Sequence, residues 1–333
     1  MKAIIPVAGA GTRLRPHTYT QPKPLIPVAG KTIISFIIDQ LKAVGVRDFV
    51  YVIGHLGEKI QNYVENNYPE LNNQFVYQNS REGSAHALWT ARSFIKGADE
   101  IYIVFGDTIL DVDFKALIEK PHSCVGVKKV ADPREFGVVE LEDSGIIRKM
   151  VEKPNIPKSN LAMVGLYKIR EVDLLIEVIE DMIREGRQTH GEYQLTDGLM
   201  GMIDRGIKLS TITVDNWFDC GKKEVLLETN AMMLDKGGYA SSGLPNYDNS
   251  IIIHPVSIAS NCEISNSIVG PHVTIGPHSK INNSIVQESI IGSYASIADI
   301  VLKESIVGSD AAITGMSQSL NIGDNTEIDF SRS

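Results

Sequence analysis

Up to about residue 110 the chain alternates short, continuous apolar runs with stretches whose apolar positions recur at helical spacing. The pattern predicts buried strands at Lys2–Val7, Phe49–Ile53, Phe75–Gln78 and Ile101–Phe105, the last running into Gly106-Asp107. Between them it predicts helices at Ile33–Ala43, Ile60–Tyr68 and Gly83–Ile95. Strands that are apolar on every residue are covered on both faces, so this alternation implies an α/β fold with a mostly parallel sheet. In such sheets ligands lie beyond the carboxyl ends of the strands.

After residue 245 the helical pattern stops and a motif recurs: I-V-G-P-H-V-T-I at 268–275, I-I-G-S-Y-A-S-I at 290–297, I-V-G-S-D-A-A-I at 306–313 and N-I-G-D-N-T-E-I at 321–328. Aliphatics stand six positions apart at Ile258 and Ile264, Val269 and Ile275, Ile291 and Ile297, Val307 and Ile313, and Ile322 and Ile328. This period is that of hexapeptide β-helix repeats, in which stacked coils bury a continuous apolar column. A β-sandwich is the competing reading, and it is disfavoured because alternation with a period of two is weak here. The expected division is a first domain over 1–236, a linker rich in glycine and serine over 237–249, and a β-helix over 250–333.

A net charge of −9 and the lack of a basic stripe argue against nucleic acid as partner. The three cysteines, Cys124, Cys220 and Cys262, are far apart and form no C-x-x-C pair, so neither zinc nor a disulfide framework is indicated. They read as reduced residues of a cytoplasmic protein. No apolar run reaches membrane-spanning length, so no membrane association is expected.

The chemistry concentrates in Val7–Leu25, V-A-G-A-G-T-R-L-R-P-H-T-Y-T-Q-P-K-P-L. Gly9 and Gly11 follow the first strand and let backbone N–H groups approach an anion. Arg13 adds a planar, permanently charged fork, and Lys23 sits between Pro22 and Pro24 on a stiffened backbone. Leu14 stands where a dinucleotide fingerprint needs its third glycine, and no Walker string occurs. Taken alone, the two glycines could equally be an ordinary turn beside surface cations.

The longer string resembles the signature of the sugar-1-phosphate nucleotidyltransferases, G-x-G-T-R-L followed by P-K-P-L-x-P, and the likeness extends over nearly the whole chain. It implies a Rossmann-like nucleotidyltransferase domain with a mostly parallel mixed sheet. The C-terminal repeats resemble the left-handed parallel β-helix carried by long members. The resemblance implies Mg²⁺ as cofactor, held by Asp107 of Y-I-V-F-G-D-T and Asp219 of W-F-D-C-G-K. Without it, Asp107 would read equally well as a strand-end or capping residue.

By the same resemblance Arg13 and Lys23 are the catalytic cations, while Ala8, Gly9, Gly11, Thr12, Gln78, Gly83 and Ser84 receive the nucleotide. A side-chain amide such as that of Gln78 suits a pyrimidine edge. The string E-K-P marks Glu152 and Lys153 as sugar-phosphate residues, although alone it reads as a solvated charge pair. Gly137 of F-G-V-V, Val164 of V-G-L-Y and Glu192 of G-E-Y-Q-L-T-D complete the sugar side, and Asp197 could equally cap a helix.

The function implied is transfer of a nucleotidyl group from a nucleoside triphosphate to a sugar 1-phosphate, with release of pyrophosphate. Pro24, where short thymidylyltransferases carry glutamine, leaves dTTP and UTP both open as donor; glucose 1-phosphate is the favoured acceptor. Two alternatives stand beside it: a bifunctional nucleotidyl- and acetyltransferase acting on amino-sugar phosphates, with His254, His272 or His278 as base, and a non-catalytic regulatory homologue. The tail is expected to make the protein a homo-oligomer.

Overall fold

The computed structural model describes residues 1–315. It divides into two compact units, Met1–Thr229 and a second that begins at Asn230.

The first unit is built on a nine-stranded mixed sheet. Its leading half contains β1 (Lys2–Pro6), α1 (Ile33–Ala43), β2 (Asp48–Ile53), α2 (Gly57–Asn67), β3 (Asn72–Tyr77), α3 (Ser84–Thr90) and β4 (Ile101–Val104). Both β2 and β4 pair with β1 in parallel, and β3 extends the ladder beyond β2. Alternate residues of β1 enter different cores. Ala3 and Ile5 pack with α1 and α2, while Ile4 packs with α3. Both faces are therefore covered, which is why these strands are apolar throughout.

The second half adds β5 (Thr108–Asp111), β6 (Cys124–Lys129), β7 (Gly137–Leu141), β8 (Ile147–Glu152), β9 (Leu161–Ile169), α4 (Val172–Glu185), α5 (Leu195–Asp204), β10 (Ser210–Thr213) and β11 (Asn216–Asp219). The nine-residue strand β9 pairs antiparallel with β4, β6 and β7. Its ladder breaks at Gly165, whose φ of +77° lets the strand change partners. Outside the main sheet β11 pairs with β5, in a register that sets Asp219 opposite Thr108.

The helix read as Gly83–Ile95 is two helices, because Ala91 interrupts the ladder between Ser84–Thr90 and Arg92–Ile95.

In the second unit three parallel four-stranded sheets form a β-helix. One face stacks Ile252, Val269, Val286 and Leu302 in register, the next Ile258, Ile275, Ile291 and Val307, and the third Ile264, Ile281, Ile297 and Ile313. Steps of six or five residues therefore carry the chain from one face to the next, six from Ile275 to Ile281 and five from Val286 to Ile291. The motif at 268–275 starts on the first face, whereas those at 290–297 and 306–313 start on the second. The repeat at 321–328, with Ile322 and Ile328, lies outside the described residues. Corners are turned by left-handed residues such as Asn266, Asn283 and Asp299, side chains that tolerate positive φ. Residues 237–249 carry no named helix or strand; Ser241 N donates to Val256 O at 2.7 Å. No helix among the described residues is long and apolar enough to cross a membrane.

Candidate active site

The carboxyl ends of β1, β3 and β4 open on one side of the sheet of the first unit. The chain leaves β1 at Val7 and runs through Gly9 to Gly11, which is held in the left-handed region at φ +60°. The Thr18 hydroxyl donates to Gly11 O at 2.8 Å, so this bend is tied to the loop that follows. A β-carbon on Gly11 would meet Thr18 Cγ2 at 3.0 Å and Lys23 Cβ at 3.1 Å. At Gly9 a β-carbon would enter open space, leaving room for a ligand close to the backbone.

Two cavities meet here. The smaller, about 370 Å³, is lined by Ala8, Gly9, Gly11, Thr12, Arg13, Lys23, Gln78, Gly83 and Ser84. The larger, about 840 Å³, is lined by Gly137, Glu152, Lys153, Val164 and Asp219. Thr12, Arg13, Ser84, Asp107 and Glu192 line both. Every residue to which the resemblance gives a role therefore lies on one or both walls.

At the junction the charges interlock. Lys23 is buried, and its Nζ lies 2.9 Å from Asp107 Oδ2 and 3.4 Å from Asp219 Oδ1. Arg13 Nη2 reaches Asp219 Oδ2 at 3.4 Å. A short helical turn, Lys23–Leu25, entered through Pro22, sets the direction of the lysine. Beside this cluster the Cys220 thiol is pushed up to about 12, first by burial, so it stays protonated.

In the smaller cavity Gln78 continues from β3, with its backbone N–H donating to Ile53 O at 2.8 Å. Its amide nitrogen donates to Gly83 O at 3.2 Å and lies 2.9 Å from His86 Nδ1. Gly83 has φ +107°, and a β-carbon there would lie 2.4 Å from Tyr193 O. The Ser84 hydroxyl is engaged elsewhere: it accepts from Leu195 N at 2.8 Å and donates to Gln194 Oε1 at 3.3 Å, tying α3 to the start of α5.

In the larger cavity Glu152 ends β8 and accepts from the Thr196 hydroxyl at 2.6 Å. Lys153 follows in the left-handed region, φ +44°, with its Nζ 3.9 Å from Glu152 Oε1. Glu192 Oε2 accepts from Gln194 Nε2 at 2.9 Å. A β-carbon on Gly137 would clash with Met163 Cε at 2.1 Å and crowd Glu152 Oε2 at 3.0 Å.

Not every candidate joins the site. Asp197 lies in the first turn of α5 and lines neither cavity. Conversely, Arg81, Arg134, Thr196 and Lys222 line the cavities although the sequence reading assigned them no role. Thr196 stood inside the G-E-Y-Q-L-T-D string, and its only signal was its distance from Glu192.

Residues 2–236 match the family model for nucleotidyl transferases, and residues 230–297 match the GlmU-like C-terminal hexapeptide model. The chain belongs to the nucleotidyl transferase family. It is 32% identical to a glucose-1-phosphate thymidylyltransferase of Streptomyces griseus, over 86% of this chain and 81% of that protein. It is 37% identical to the bifunctional protein GlmU of Methanocaldococcus jannaschii, over 71% of this chain but 55% of that protein. Among solved structures it resembles a UDP-glucose pyrophosphorylase complexed with UDP-glucose, with a TM-score of 0.61, 25% identity, and coverage of 71% of this chain and 99% of that one.

Proposed function

We propose that the first unit joins a nucleoside triphosphate to a sugar 1-phosphate, with the triphosphate in the smaller cavity and the sugar phosphate in the larger. The observation that carries this reading is a buried lysine bracketed by two aspartates where the two cavities meet. An oxygen of the sugar phosphate attacks the α-phosphorus in line. The bond from that phosphorus to the bridging oxygen breaks, and pyrophosphate leaves with the electron pair. No covalent enzyme intermediate is required, so the protein contributes position and charge.

Arg13 steadies the departing pyrophosphate, and Lys23 the phosphoryl group in transfer. Lys153 holds the nucleophilic phosphate. Glu152, fixed by Thr196, and Glu192, fixed by Gln194, accept from sugar hydroxyls. The glycine bend leaves backbone room for the phosphate chain, and Gln78 and Gly83 face the base.

The residues also suit a divalent cation. Arg13 and Lys23 together balance only Asp107 and Asp219, whereas the two substrates bring roughly six further negative charges. Two carboxylates form an all-oxygen donor set that phosphate oxygens would complete, which is the pattern of Mg²⁺ rather than of a closed protein cage. Among the described residues no group of three or more His, Cys, Asp or Glu could hold a metal alone. When bound, Mg²⁺ supplies Lewis-acid neutralisation of phosphate oxygens.

We favour dTTP or UTP with glucose 1-phosphate, a reading supported by the named relatives. A panel of five triphosphates against four sugar 1-phosphates, read by pyrophosphate release, tests it. Release with one of the favoured pairs supports the reading, and silence across the panel favours the regulatory homologue. The bifunctional reading draws on the GlmU likeness. Against it, His272 and His278 sit at left-handed corners, His272 pairs with Asp235 at 3.1 Å, and His278 stacks on Tyr294. Acetyl-CoA consumption with an amino-sugar phosphate would restore it. A cytoplasmic homo-oligomer accords with the free thiols and with the in-register outward aliphatics Ile251, Ile268, Ile285 and Val301. Light scattering would read the subunit number.

A further inference from the structure

The pair formed by Gln78 and His86 carries an inference about which bases the smaller cavity admits. It rests on the nucleotide reading of that cavity. Gln78 lines the cavity, and both residues are buried. The Gln78 amide nitrogen has two hydrogens, and the structure places an acceptor before each: Gly83 O at 3.2 Å and His86 Nδ1 at 2.9 Å. A backbone carbonyl can only accept. Turning the amide over would set Gln78 Oε1 against Gly83 O, two acceptors face to face in a buried setting. The carbonyl therefore decides the amide's orientation. Orientation in turn decides the tautomer: His86 Nδ1 must accept, so its proton sits on Nε2.

Neither acceptor is free to move. Gly83 O also receives Ala87 N at 3.1 Å at the start of α3. Gly83 itself is pinned against Tyr193, whose carbonyl accepts from Ala85 N at 2.9 Å. The His86 ring stacks on Trp89 at 5.6 Å, and the Arg92 guanidinium lies 3.8 Å over the far ring.

We infer that His86 is a specificity-determining positioning residue: with Gly83 it uses both N–H bonds of Gln78, so the amide can offer a base only its carbonyl oxygen. A lone acceptor selects bases that carry an imino N–H: uracil and thymine at N3, guanine at N1. It rejects cytosine and adenine, which present a bare ring nitrogen at that edge and would leave two acceptors opposed. Sites built around one hydrogen-bond sense discriminate strongly against analogues lacking the partner.

The cleanest test compares UTP with CTP, which differ at that edge and nowhere else. With the wild-type enzyme, kcat/KM for UTP should exceed that for CTP by about 100-fold or more, on the scale of hydrogen-bonded discrimination. In His86→Leu the amide keeps its bond to Gly83 O but one N–H is released and becomes available to the bare ring nitrogen of cytosine, so the ratio should fall by about tenfold or more, the worth of one lost buried hydrogen bond. His86→Asn, whose side-chain oxygen can accept in place of Nδ1, should restore the ratio. The KM for the sugar phosphate should not move in either variant. Wild-type enzyme that accepts CTP or ATP as well as UTP overturns the inference even if the variants do not fold. So does a His86→Leu enzyme that is slower with both pyrimidines at an unchanged ratio, which is the result of a purely structural role. Wild-type protein that releases pyrophosphate from none of the triphosphates would instead sink the nucleotidyl-transfer reading, and this inference with it.

Discussion

The two cavities share Asp107 and Arg13 but are walled in different ways. The smaller cavity, proposed for the nucleotide, brings main chain to its surface at Gly9, Gly11 and Gly83, and two of its polar side chains, Lys23 and Gln78, are buried and already bonded. The larger cavity, proposed for the sugar phosphate, adds the ionised side chains Glu152 and Lys153 to Glu192, which lines both, and the two glutamates are oriented by neutral neighbours, Thr196 and Gln194. A phosphate chain is the same in every triphosphate, so a fixed backbone cradle suits it. Sugars differ in the placing of hydroxyls, and side-chain acceptors on adjustable neighbours are the simpler means of telling them apart. The difference predicts that nucleotide-side changes act through backbone geometry and sugar-side changes through individual side chains.

Removing the buried cation that bridges Asp107 and Asp219 should have the largest effect. Lys23→Met leaves Asp107 and Asp219 facing each other without a buried counter-charge and takes away one of the two cations at the transferring group. Turnover should fall by about 10²- to 10³-fold, the scale for losing one preorganised electrostatic group; turnover within threefold of wild type would remove Lys23 from the centre. Next comes the sugar side. Lys153→Met should raise KM for the sugar phosphate about tenfold or more while KM for the triphosphate stays within about twofold, since a charge-assisted contact contributes about 1.5–3 kcal/mol. Equal changes in both constants would erase the division between the cavities.

Gly11→Ala probes the backbone cradle. A side chain at φ +60° with two contacts near 3 Å is strained. It should cost about 1–2 kcal/mol of unfolding free energy in denaturant titration and weaken the triphosphate several-fold, with the sugar phosphate spared. The smallest effect on chemistry belongs to the β-helix: Ile281→Ala removes a buried member of an inward column, so it should destabilise the second unit by about 2–5 kcal/mol and leave turnover per folded molecule unchanged.

What could be read from sequence follows the range over which each signal acts. Helix Ile33–Ala43 and the apolar strands are local periodicities, and they stand where their patterns put them. The six-residue step of the tail was equally local, but its meaning, one face to the next, needs the register of stacked coils, which no single repeat contains. The glycine bend and Lys23 were legible because a stiff loop holds them within one short string. The pairings of β9 were not, because a strand broken at Gly165 is shared among partners distant in sequence. Thr196 reaches Glu152 across 44 positions, and Ser84 reaches Leu195 across 111, so no spacing rule could have joined them. His86 lies only eight positions from Gln78, yet its role depends on Gly83 turning its carbonyl back toward the same amide.

The central claim is that Asp107 and Asp219 form the floor on which the two substrates meet. Its most direct test is the initial rate of pyrophosphate release from UTP and glucose 1-phosphate with Mg²⁺, for Asp107→Asn and Asp219→Asn beside the wild type, together with Mg²⁺ titrations. Each substitution should lower the rate by about 10²-fold or more and raise the Mg²⁺ concentration required, with both proteins still folded. Full turnover at an unchanged Mg²⁺ requirement in either variant would contradict the account.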